Sequence, residues 1–481
     1  METTEHPNPP VAREKVADAD ITAAIEMLLL SRRGITPHLI DVTTLHGVVE
    51  LTGFTDSLLS RQRAGEVALA VRGVGGVVNE LAIRTPELPD ADLRRHVERA
   101  LAHDPATSDY NLTCAVHQGT VTVSGVVQTW MEKQLVLRVL RGVRGVCHLD
   151  ADNLKVRGGE IMNSDAEIST EIREVLDWDI RVNSALVEVH TTHKAVHLAG
   201  TVGSAAEKER IIDVAYQAGA SRVDAHELFV AYWALVGDLR RDKFAYRLDE
   251  DIANAVRDTF RYDPRVLSYE PTVTVHNGYV TLTGTVSNLR ARLDAEQDAR
   301  HVVGVWEVQN RLKVRPPHPL PDAVIRQNVL DALARDPYVG DFGLVVLVRN
   351  GKAYLDGRVG NHFEQEHAAD VAAGITGVAE VANRLDVSGT TCATGLRPYG
   401  QPAQGLRPAP DHALAERIRQ RHHWSAGLYH QDVHVAVENG VALLTGTVDT
   451  WFDREQAGFE AYEAGAHFVN NELQVRTPVH A

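Results

Sequence analysis

The chain has 481 residues, of which 44% are apolar and 24% charged, and its formal net charge is −16. This is an ordinary globular composition, and the length indicates several domains rather than one. The acidic balance argues against broad, sequence-independent binding to nucleic acid or to an anionic bilayer, because such binding needs clustered Lys and Arg. We therefore expect no nucleic-acid partner.

The N-terminal residues 1–17 are predicted to form a flexible tail. They are polar, they contain Pro7, Pro9 and Pro10, and no apolar run follows a basic start. No run of about 18 apolar residues occurs in the sequence, so no membrane-spanning helix is predicted. The three cysteines, an odd number in a long chain, do not suggest a disulfide framework. Together these features predict a cytoplasmic protein.

From residue 18 onward the chain is predicted to contain six units with the order helix, strand, strand, helix, strand. In the fourth unit Ile252, Val256 and Phe260 recur every four residues, which places them on one face of a first helix. We number the units 1 to 6, and they span residues 18–84, 90–157, 164–230, 248–315, 321–388 and 410–477. About 65 to 70 residues can just enclose a small core, so each unit is expected to have its own.

Each predicted hairpin is marked by two glycines with a fixed spacing. The pairs are Gly47 and Gly53, Gly119 and Gly125, Gly278 and Gly284, Gly351 and Gly357, and Gly440 and Gly446, while in unit 3 Lys194 precedes Gly200. Three turns read Asn-Gly, a pair typical of type I′ turns, namely Asn277-Gly278, Asn350-Gly351 and Asn439-Gly440. Four residues after the second glycine stands a residue suited to cap a second helix: Ser57, Thr129, Ser204, Asn288, Asn361 and Thr450.

Two segments between units differ from the repeat. Residues 231–247 contain Trp233, Leu235, Val236 and Phe244 and no proline, which predicts a helical bridge between two groups of three units. Residues 389–409 are rich in Gly and Pro and are predicted to form a flexible linker. Unit 6 is therefore expected to be the most mobile unit.

The stretch Gly-Tyr-Val-Thr-Leu-Thr-Gly-Thr-Val from Gly278 to Val286, followed by a helix and by Gly304 to Val314, resembles the BON domain of bacterial osmotic-shock and nodulation-associated proteins. The resemblance implies an α+β fold of six tandem α-β-β-α-β units, each a three-stranded mixed sheet with two helices on one face. It also implies attachment to phospholipid surfaces or other ligands. Cytoplasmic members of the family are linked to ligand or cation sensing.

No catalytic, cofactor or metal site is predicted. The motifs of phosphate-binding loops, zinc proteases, paired thiols and serine nucleophiles do not occur in the sequence. His190, His193 and His197 cluster on a predicted hairpin, where odd spacings point to opposite faces. His422 interrupts the apolar stripe of the first helix of unit 6, and with His423 it is predicted to interact with the C-terminal helix dipole.

Two further sets of residues allow a structural and a functional interpretation. Trp130 and Trp451 directly follow the caps of two second helices, where they could anchor a partner or pack on the sheet. A column of asparagines stands two residues before a leucine in the last strand and is predicted to be buried and bonded to loop backbone: Asn79, Asn310, Asn383 and Asn471. In unit 3, His226 takes this position.

Two functions from different classes remain open. The first is a non-enzymatic, stress-related bacterial scaffold that assembles with itself or with another protein through the outer sheet faces and open strand edges. The second is a module that attaches to a phospholipid surface, a small ligand or a cation, with six weak sites acting together.

Overall fold

The computed structural model describes residues 16–31, 39–85, 88–157, 163–231, 234, 241–244, 246–316, 318–387 and 410–476. The predicted fold class is confirmed, since six successive units of mixed sheet and paired helices follow one another along the chain. The predicted linker and almost all of the predicted N-terminal tail lie outside the described residues. Within the described residues, no helix is both long enough and apolar enough to span a bilayer.

Each unit starts with a helix whose apolar stripe is buried against the sheet. The first helices are Asp18–Ser31, Asp90–His103, Asp165–Trp178, Asp249–Arg261, Asp322–Arg335 and Asp411–Trp424. In unit 4 the first helix ends at Arg261. Asp263 stands two residues later, and it disfavours helical geometry because Pro264 follows it. Asp263 then caps one further turn of helix, Pro264–Leu267.

A β-hairpin follows each first helix. The first strands are Ile40–Leu45, Leu112–His117, Val187–Thr192, Thr272–His276, Val345–Arg349 and Asp432–Glu438. The central strands are Val48–Thr55, Thr120–Val127, Ala195–Val202, Tyr279–Thr283 continued by Thr285–Val286, Lys352–Val359 and Val441–Val448. In unit 4 the turn residues Asn277 and Gly278 have φ angles of 52° and 76°, as a type I′ turn requires.

The second helices are Leu58–Leu69, Trp130–Arg141, Ala205–Gln217, Leu289–Arg300, His362–Ala373 and Trp451–Glu463. All six predicted caps accept a hydrogen bond from a backbone amide in the first turn of these helices. The third strands are Gly76–Asn79 with Ala82–Ile83, His148–Asp150 with Leu154–Val156, Arg222–Val230, Glu307–Asn310 with Lys313–Val314, Glu380–Val387, and Phe468–Asn471 with Gln474–Val475. The central strand pairs antiparallel with the first strand and parallel with the third in every unit.

Each unit has its own buried apolar cluster, and residues of neighbouring units complete several of them. Trp178 of unit 3 packs against the core of unit 4, and Trp424 of unit 6 packs against the core of unit 1. The contacts between units are made mainly by helices, as between the second helices of units 1 and 3, 2 and 3, and 4 and 5. The cores of units 1, 2 and 4 therefore include side chains from other units.

Three equivalent main-chain hydrogen bonds join the units in nested pairs. In each bond the donor is the backbone amide of the residue just before the glycine that follows a second helix. The acceptor is the backbone carbonyl of the last residue in the first helix of another unit. These bonds run from Arg72 to Trp424 at 2.9 Å, from Arg144 to Arg335 at 2.8 Å, and from Val303 to Trp178 at 2.9 Å. They join unit 1 to unit 6, unit 2 to unit 5 and unit 4 to unit 3, so the chain folds back on itself between units 3 and 4.

The expectation that unit 6 is the most mobile unit is not supported by its contacts. Besides the bond to Trp424, its Ala426 amide donates to the Ala70 carbonyl of unit 1 at 3.0 Å. Its Glu463 pairs with Arg63 of unit 1 at 2.9 Å, and its Glu455 pairs with Arg300 of unit 4. A Gly/Pro-rich connection does not make a domain mobile when the domain packs against its neighbours.

Only part of the segment between units 3 and 4 is described, and Trp233, Leu235 and Val236 lie outside it. The described part contains a short 3-10 helix, Arg241–Phe244. The buried Lys243 ammonium donates to the Leu176 carbonyl at 2.8 Å and also to the Val182 carbonyl. Arg247 pairs with Asp177 at 3.0 Å, so this segment is fixed to the end of the first helix of unit 3.

Candidate functional surfaces

An aspartate at the start of each first helix holds the hairpin turn of the same unit. In unit 4 the Asp249 carboxylate accepts from the Asn277 amide at 2.7 Å and from the Gly278 amide at 2.9 Å. These two bonds hold the pKa of Asp249 below its usual value. Equivalent bonds are made by Asp18, Asp90, Asp165, Asp322 and Asp411. The sequence analysis missed this column, although each aspartate stands 28 residues before its turn.

The hairpin glycines and turn asparagines singled out in the sequence occupy the backbone conformation that favours glycine or asparagine. All of them have positive φ angles: Gly47, Gly53, Gly119, Gly125, Gly200, Asn277, Gly278, Gly284, Asn350, Gly351, Gly357, Asn439, Gly440 and Gly446. In unit 3 the same turn is made by His193 and Lys194, at φ angles of 50° and 60°. These residues shape the hairpins.

Trp130 and Trp451 lie at contacts between units. Trp130 of unit 2 stacks on Tyr216 of unit 3, with ring centroids 4.7 Å apart. Trp451 of unit 6 lines a cavity beside Gly304 and Trp306 of unit 4. Both indoles are half-buried, and each lies against a neighbouring unit.

The residue that follows the cap of the second helix contacts another unit in several repeats. Leu58 of unit 1 packs against the core of unit 2, and Ala205 of unit 3 belongs to the core cluster of unit 1. With the Trp130 contact, units 1, 2 and 3 form a closed ring. In the second half of the chain the Leu289 amide of unit 4 donates to the Val378 carbonyl of unit 5 at 2.8 Å. One position of the repeat thus joins successive units.

Two sequence expectations about polar residues need correction. The asparagine column is half-buried rather than buried, and its side-chain amide donates to a carbonyl of the second helix, as Asn310 does to Arg292 at 2.7 Å. His422 does not cap its helix but is buried in the core, where its Nε2 lies 3.1 Å from the Ala457 carbonyl. Burial lowers the pKa of His422 because it disfavours the charged imidazolium.

A cavity of about 340 Å³ lies between units 4 and 6. Its walls include five aromatic side chains: Phe244, Tyr246, Tyr279, Trp306 and Trp451. Arg247 and Arg476 contribute positive charge, while Asp249 and Asp449 contribute negative charge. The Asp249 carboxylate is already occupied by the turn amides, and Asp449 pairs with Arg476 at 2.8 Å. The two carboxylates of the cavity are therefore satisfied by the protein itself, whereas Nε1 of Trp451 and Nε of Arg247 are buried without a hydrogen-bond partner among the described residues.

The sheet surfaces that face away from the helices differ in polarity from unit to unit. In unit 6, Val441 and Phe468 are neighbours on the central and third strands and are 38% and 59% exposed. The corresponding neighbours are Lys352 and Glu380 in unit 5, which form an ion pair, and Tyr279 and Glu307 in unit 4. The exposed Tyr462 lies beside Phe468, since its hydroxyl accepts from the Val469 amide at 3.2 Å. We call Val441, Tyr462 and Phe468 the unit-6 patch.

Buried charges lie where the two halves of the chain meet. Arg265 of unit 4 pairs with Asp104 of unit 2 at 2.9 Å and with Asp294 of its own unit at 3.5 Å. In unit 3, Asp179 pairs with Arg181 at 2.7 Å and with Arg210 at 2.9 Å. Burial alone would raise the pKa of Asp179, but the two guanidinium groups hold it well below its usual value. Of these pairs, the one between Arg265 and Asp104 joins two units.

His301 lies in the same region and is held neutral. Burial, followed by the positive charge of Arg181, lowers the pKa of His301 to about 3. Its ring meets Phe452 of unit 6 edge to face, with centroids 5.9 Å apart. A proton on this imidazole would therefore cost the interface free energy.

We expect acid to weaken this interface through His301. Between the folded pKa of about 3 and the unfolded value near 6.5, the unfolded chain binds a proton that the folded chain excludes, so stability falls as pH falls. From pH 6.5 to pH 5 the loss should be about 2 kcal/mol. His301→Gln removes this contribution, so its urea midpoint should change less between the two pH values than that of the wild type.

The difference in pH dependence between the wild type and His301→Gln gives the contribution of His301 alone. The pKa of Asp298 is raised by burial and by Asp263 and Asp294, and this carboxyl acts in the opposite direction. Because it is present in both proteins, its contribution cancels in the comparison. Equal pH dependence of the two proteins would show that His301 is protonated in the folded state.

Comparison with known proteins agrees with the repeat. Residues 17–85, 89–158, 164–226, 248–316, 321–389 and 410–477 each match the BON domain. The osmotically-inducible protein Y of Escherichia coli (strain K12) is 30% identical over 133 residues, which is 27% of this chain and 66% of that protein.

Two solved structures of CdsD, a structural protein of the type III secretion system of Chlamydia trachomatis, also show similarity. One is 16% identical and covers 49% of this chain and 97% of that structure, with a TM-score of 0.14. The second, of the C-terminal domain, is 15% identical and covers 48% of this chain and 99% of that structure, with a TM-score of 0.13. These scores are too low to support an argument from CdsD. The six matched segments, by contrast, account for most of the sequence, and the chain belongs to the BON domain family.

Proposed function

We propose that this protein is a non-enzymatic scaffold that binds proteins, including further copies of itself, through the outward-facing sheets of its six BON domains. The observation that supports this proposal is the orientation of the helical layer and the sheet layer in each unit. The helices pack against neighbouring units, and the opposite sheet faces are left to the surface. A chain that uses its helices for internal assembly presents several sheets in fixed relative positions.

The strand edges support the same proposal. Among the described residues the first strand of each unit pairs only with its own central strand, and no sheet extends from one unit to the next. Within the chain the units are joined by their helices. The edges keep unpaired backbone groups that a strand of another chain can use.

Where neighbouring positions on the central and third strands are compared, the unit-6 patch is more apolar than the same positions of units 4 and 5. Val441 and Phe468 replace the ion pair that Lys352 and Glu380 form in unit 5. An exposed aromatic beside an aliphatic residue is a common centre of a protein interface. We therefore propose the unit-6 patch as a point of self-association.

Attachment to a phospholipid surface is the competing function. A net charge of −16 produces repulsion from an anionic leaflet, and lipid recognition usually needs roughly four to eight clustered cations. The similarity to osmotically-inducible protein Y supports a stress-related role in a bacterial cell, which fits either function.

Sedimentation velocity over about a hundredfold range of concentration, together with flotation on phosphatidylglycerol vesicles, tests the proposal. We expect the wild type to self-associate near 0.15 M salt and not to float, because that salt screens much of the repulsion between copies. Phe468→Glu should reduce self-association at least about tenfold, since it places a charge in the apolar patch.

Gln309→Glu is the matched control, because it adds the same charge to the exposed outer face of unit 4. It should sediment like the wild type. A protein that stays monomeric over the whole range and floats saturably would contradict the scaffold and favour membrane attachment. Equal effects of the two variants would leave the scaffold standing but would remove the unit-6 patch from it.

A further inference from the structure

The outer sheet face of unit 3 brings together two histidines and two carboxylates. His197 lies on the central strand, and Asp224, His226 and Glu227 lie on the adjacent parallel strand. The Nδ1 atom of His197 is 3.6 Å from Asp224 and its Nε2 atom is 3.0 Å from Glu227. The Nδ1 atom of His226 is 2.6 Å from the other oxygen of Asp224. Only His197 of the three histidines clustered in the sequence belongs to this group.

A local irregularity of the sheet creates the cluster. The pairing of the two strands shifts after His197, which faces Asp224, so that Ala199 faces Glu227. Such a bulge changes the direction of the side chains beside it. In units 1, 4, 5 and 6 an asparagine holds the position of His226 and bonds to the second helix. In unit 3 the His226 side chain is exposed and bonds to Asp224 instead.

The donor atoms are close enough to share one ion. One atom each from His197, Asp224 and His226 can be chosen so that all lie within 4.8 Å of one another, and no second such group occurs among the described residues. Four ligands at the usual zinc distance of about 2.0 to 2.1 Å stand about 3.3 Å apart in a tetrahedron. The Nδ1 atom of His197 is 3.6 Å and the Nδ1 atom of His226 is 2.6 Å from an oxygen of Asp224, and these two spacings bracket that separation.

The type of donor favours one group of metals. Imidazole nitrogen with carboxylate oxygen suits Zn²⁺ and neighbouring first-row divalent ions, whereas Mg²⁺ and Ca²⁺ prefer oxygen ligands alone.

We propose that unit 3 binds one divalent transition-metal ion, represented by Zn²⁺, through His197, Asp224 and His226, with water as the fourth ligand. The alternative is a network of surface hydrogen bonds between imidazoles and carboxylates that holds no metal. The two differ in whether removing one imidazole changes metal affinity. The site does not depend on the scaffold function proposed above, since it lies on unit 3 and not on the unit-6 patch.

Calorimetric titration of Zn²⁺ into the full-length, tag-free and chelator-treated protein tests the site. We expect one Zn²⁺ per chain to bind more tightly than the remaining weak sites expected from 23 histidines. Changing residues that only orient metal ligands costs about 10- to 100-fold in affinity, so loss of a ligand should cost at least about tenfold. His226→Asn is the best variant, because four other units carry asparagine at this position and fold with it.

His193→Asn is the matched control. His193 lies in the neighbouring turn at a φ angle of 50°, a conformation that asparagine accepts, and it does not belong to the cluster. This variant should bind Zn²⁺ within about twofold of the wild type, a change below half a kcal/mol. His197→Ala should behave like His226→Asn.

Three results would overturn the metal site. The first is a wild type that binds Zn²⁺ no more tightly than His226→Asn. The second is an equal loss of affinity in His193→Asn. The third is an intense near-ultraviolet band when Co²⁺ replaces Zn²⁺, because that band reports a thiolate ligand and the cluster contains none.

Discussion

Replacing Gly446 by alanine should destabilise unit 6 by roughly 3 to 5 kcal/mol. Gly446 has a φ angle of +118°, and an added Cβ atom would stand only 2.0 Å from the Asp432 carbonyl oxygen. That oxygen belongs to the backbone of the first strand, so a side-chain rotation cannot relieve the overlap. The first strand must move away from the central strand, and Val433, which pairs with Gly446, moves with it.

Gly284→Ala is the matched comparison, because Gly284 occupies the same repeat position in unit 4. Its φ angle is +131°, yet the atom nearest to an added Cβ is 3.7 Å away. Backbone strain alone should cost about 1 to 3 kcal/mol there. Hydrogen exchange of peptides from each unit is the appropriate measurement, since a protein of six units need not unfold in one step. Equal losses of protection would show that strain dominates and that the close approach does not matter.

Arg265→Met should destabilise the contact between units 2 and 4 by about 3 to 5 kcal/mol. The Arg265 and Asp104 side chains are only 15% and 12% exposed. Burial disfavours the charged guanidinium, but Asp104 and Asp294 raise the pKa of Arg265. Without this cation, Asp104 loses its ion pair and keeps the Ala106 amide at 2.9 Å, whereas Asp294 keeps Arg290 at 2.8 Å. The loss should appear as a lower urea midpoint and as faster exchange in both units.

Arg261→Met is the control for the loss of an arginine on the same unit. Arg261 pairs with Asp258 at 2.9 Å but is 72% exposed, and exposed pairs contribute roughly 0 to 1 kcal/mol. Adding Asp104→Asn to Arg265→Met should recover part of the stability, because it removes the unpaired charge. If Arg265→Met and Arg261→Met shift the midpoint equally, Arg265 is solvated and the halves of the chain are held by other contacts.

The repeat itself could be read from the sequence because its signals are local. The spacing of Gly278 and Gly284 and the cap at Asn288 depend on neighbouring backbone groups, which the chain order specifies directly. The turn of unit 3 was harder, since His193 and Lys194 adopt the positive φ angles without a glycine. Its assignment depended on register with the other units.

The association of the units could not be predicted in the same way. The apolar stripes identify which residues face the core of their own unit, and they say nothing about which unit lies next to which. Trp130 and Trp451 were predicted either to anchor a partner or to pack on the sheet. No contact was predicted for Leu58 and Ala205, which occupy the same position in units 1 and 3. An apolar residue repeated after a helix cap, where solvent exposure is expected, was the available signal for the ring contact.

The cluster of His197, Asp224 and His226 could not be predicted from the sequence for a different reason. The sequence drew attention to His190 and His193, which the fold leaves out of the cluster. It gave no reason to join His197 to His226, because a bulge brings together residues from strands that are far apart in the chain. The asparagine column nevertheless contained a clue, since His226 was its departure in unit 3.

The nested pairing of units has a consequence for synthesis on the ribosome. Unit 3 meets its partner as soon as unit 4 emerges, and unit 2 must wait for unit 5. Unit 1 is made first but receives Trp424 only when the chain is nearly complete. Throughout elongation the apolar surface of unit 1 that Trp424 later covers is therefore exposed to solvent and to other nascent chains. Chaperones are most needed under this condition. A truncated chain that ends after unit 5 should expose this surface permanently and should be retained by chaperones.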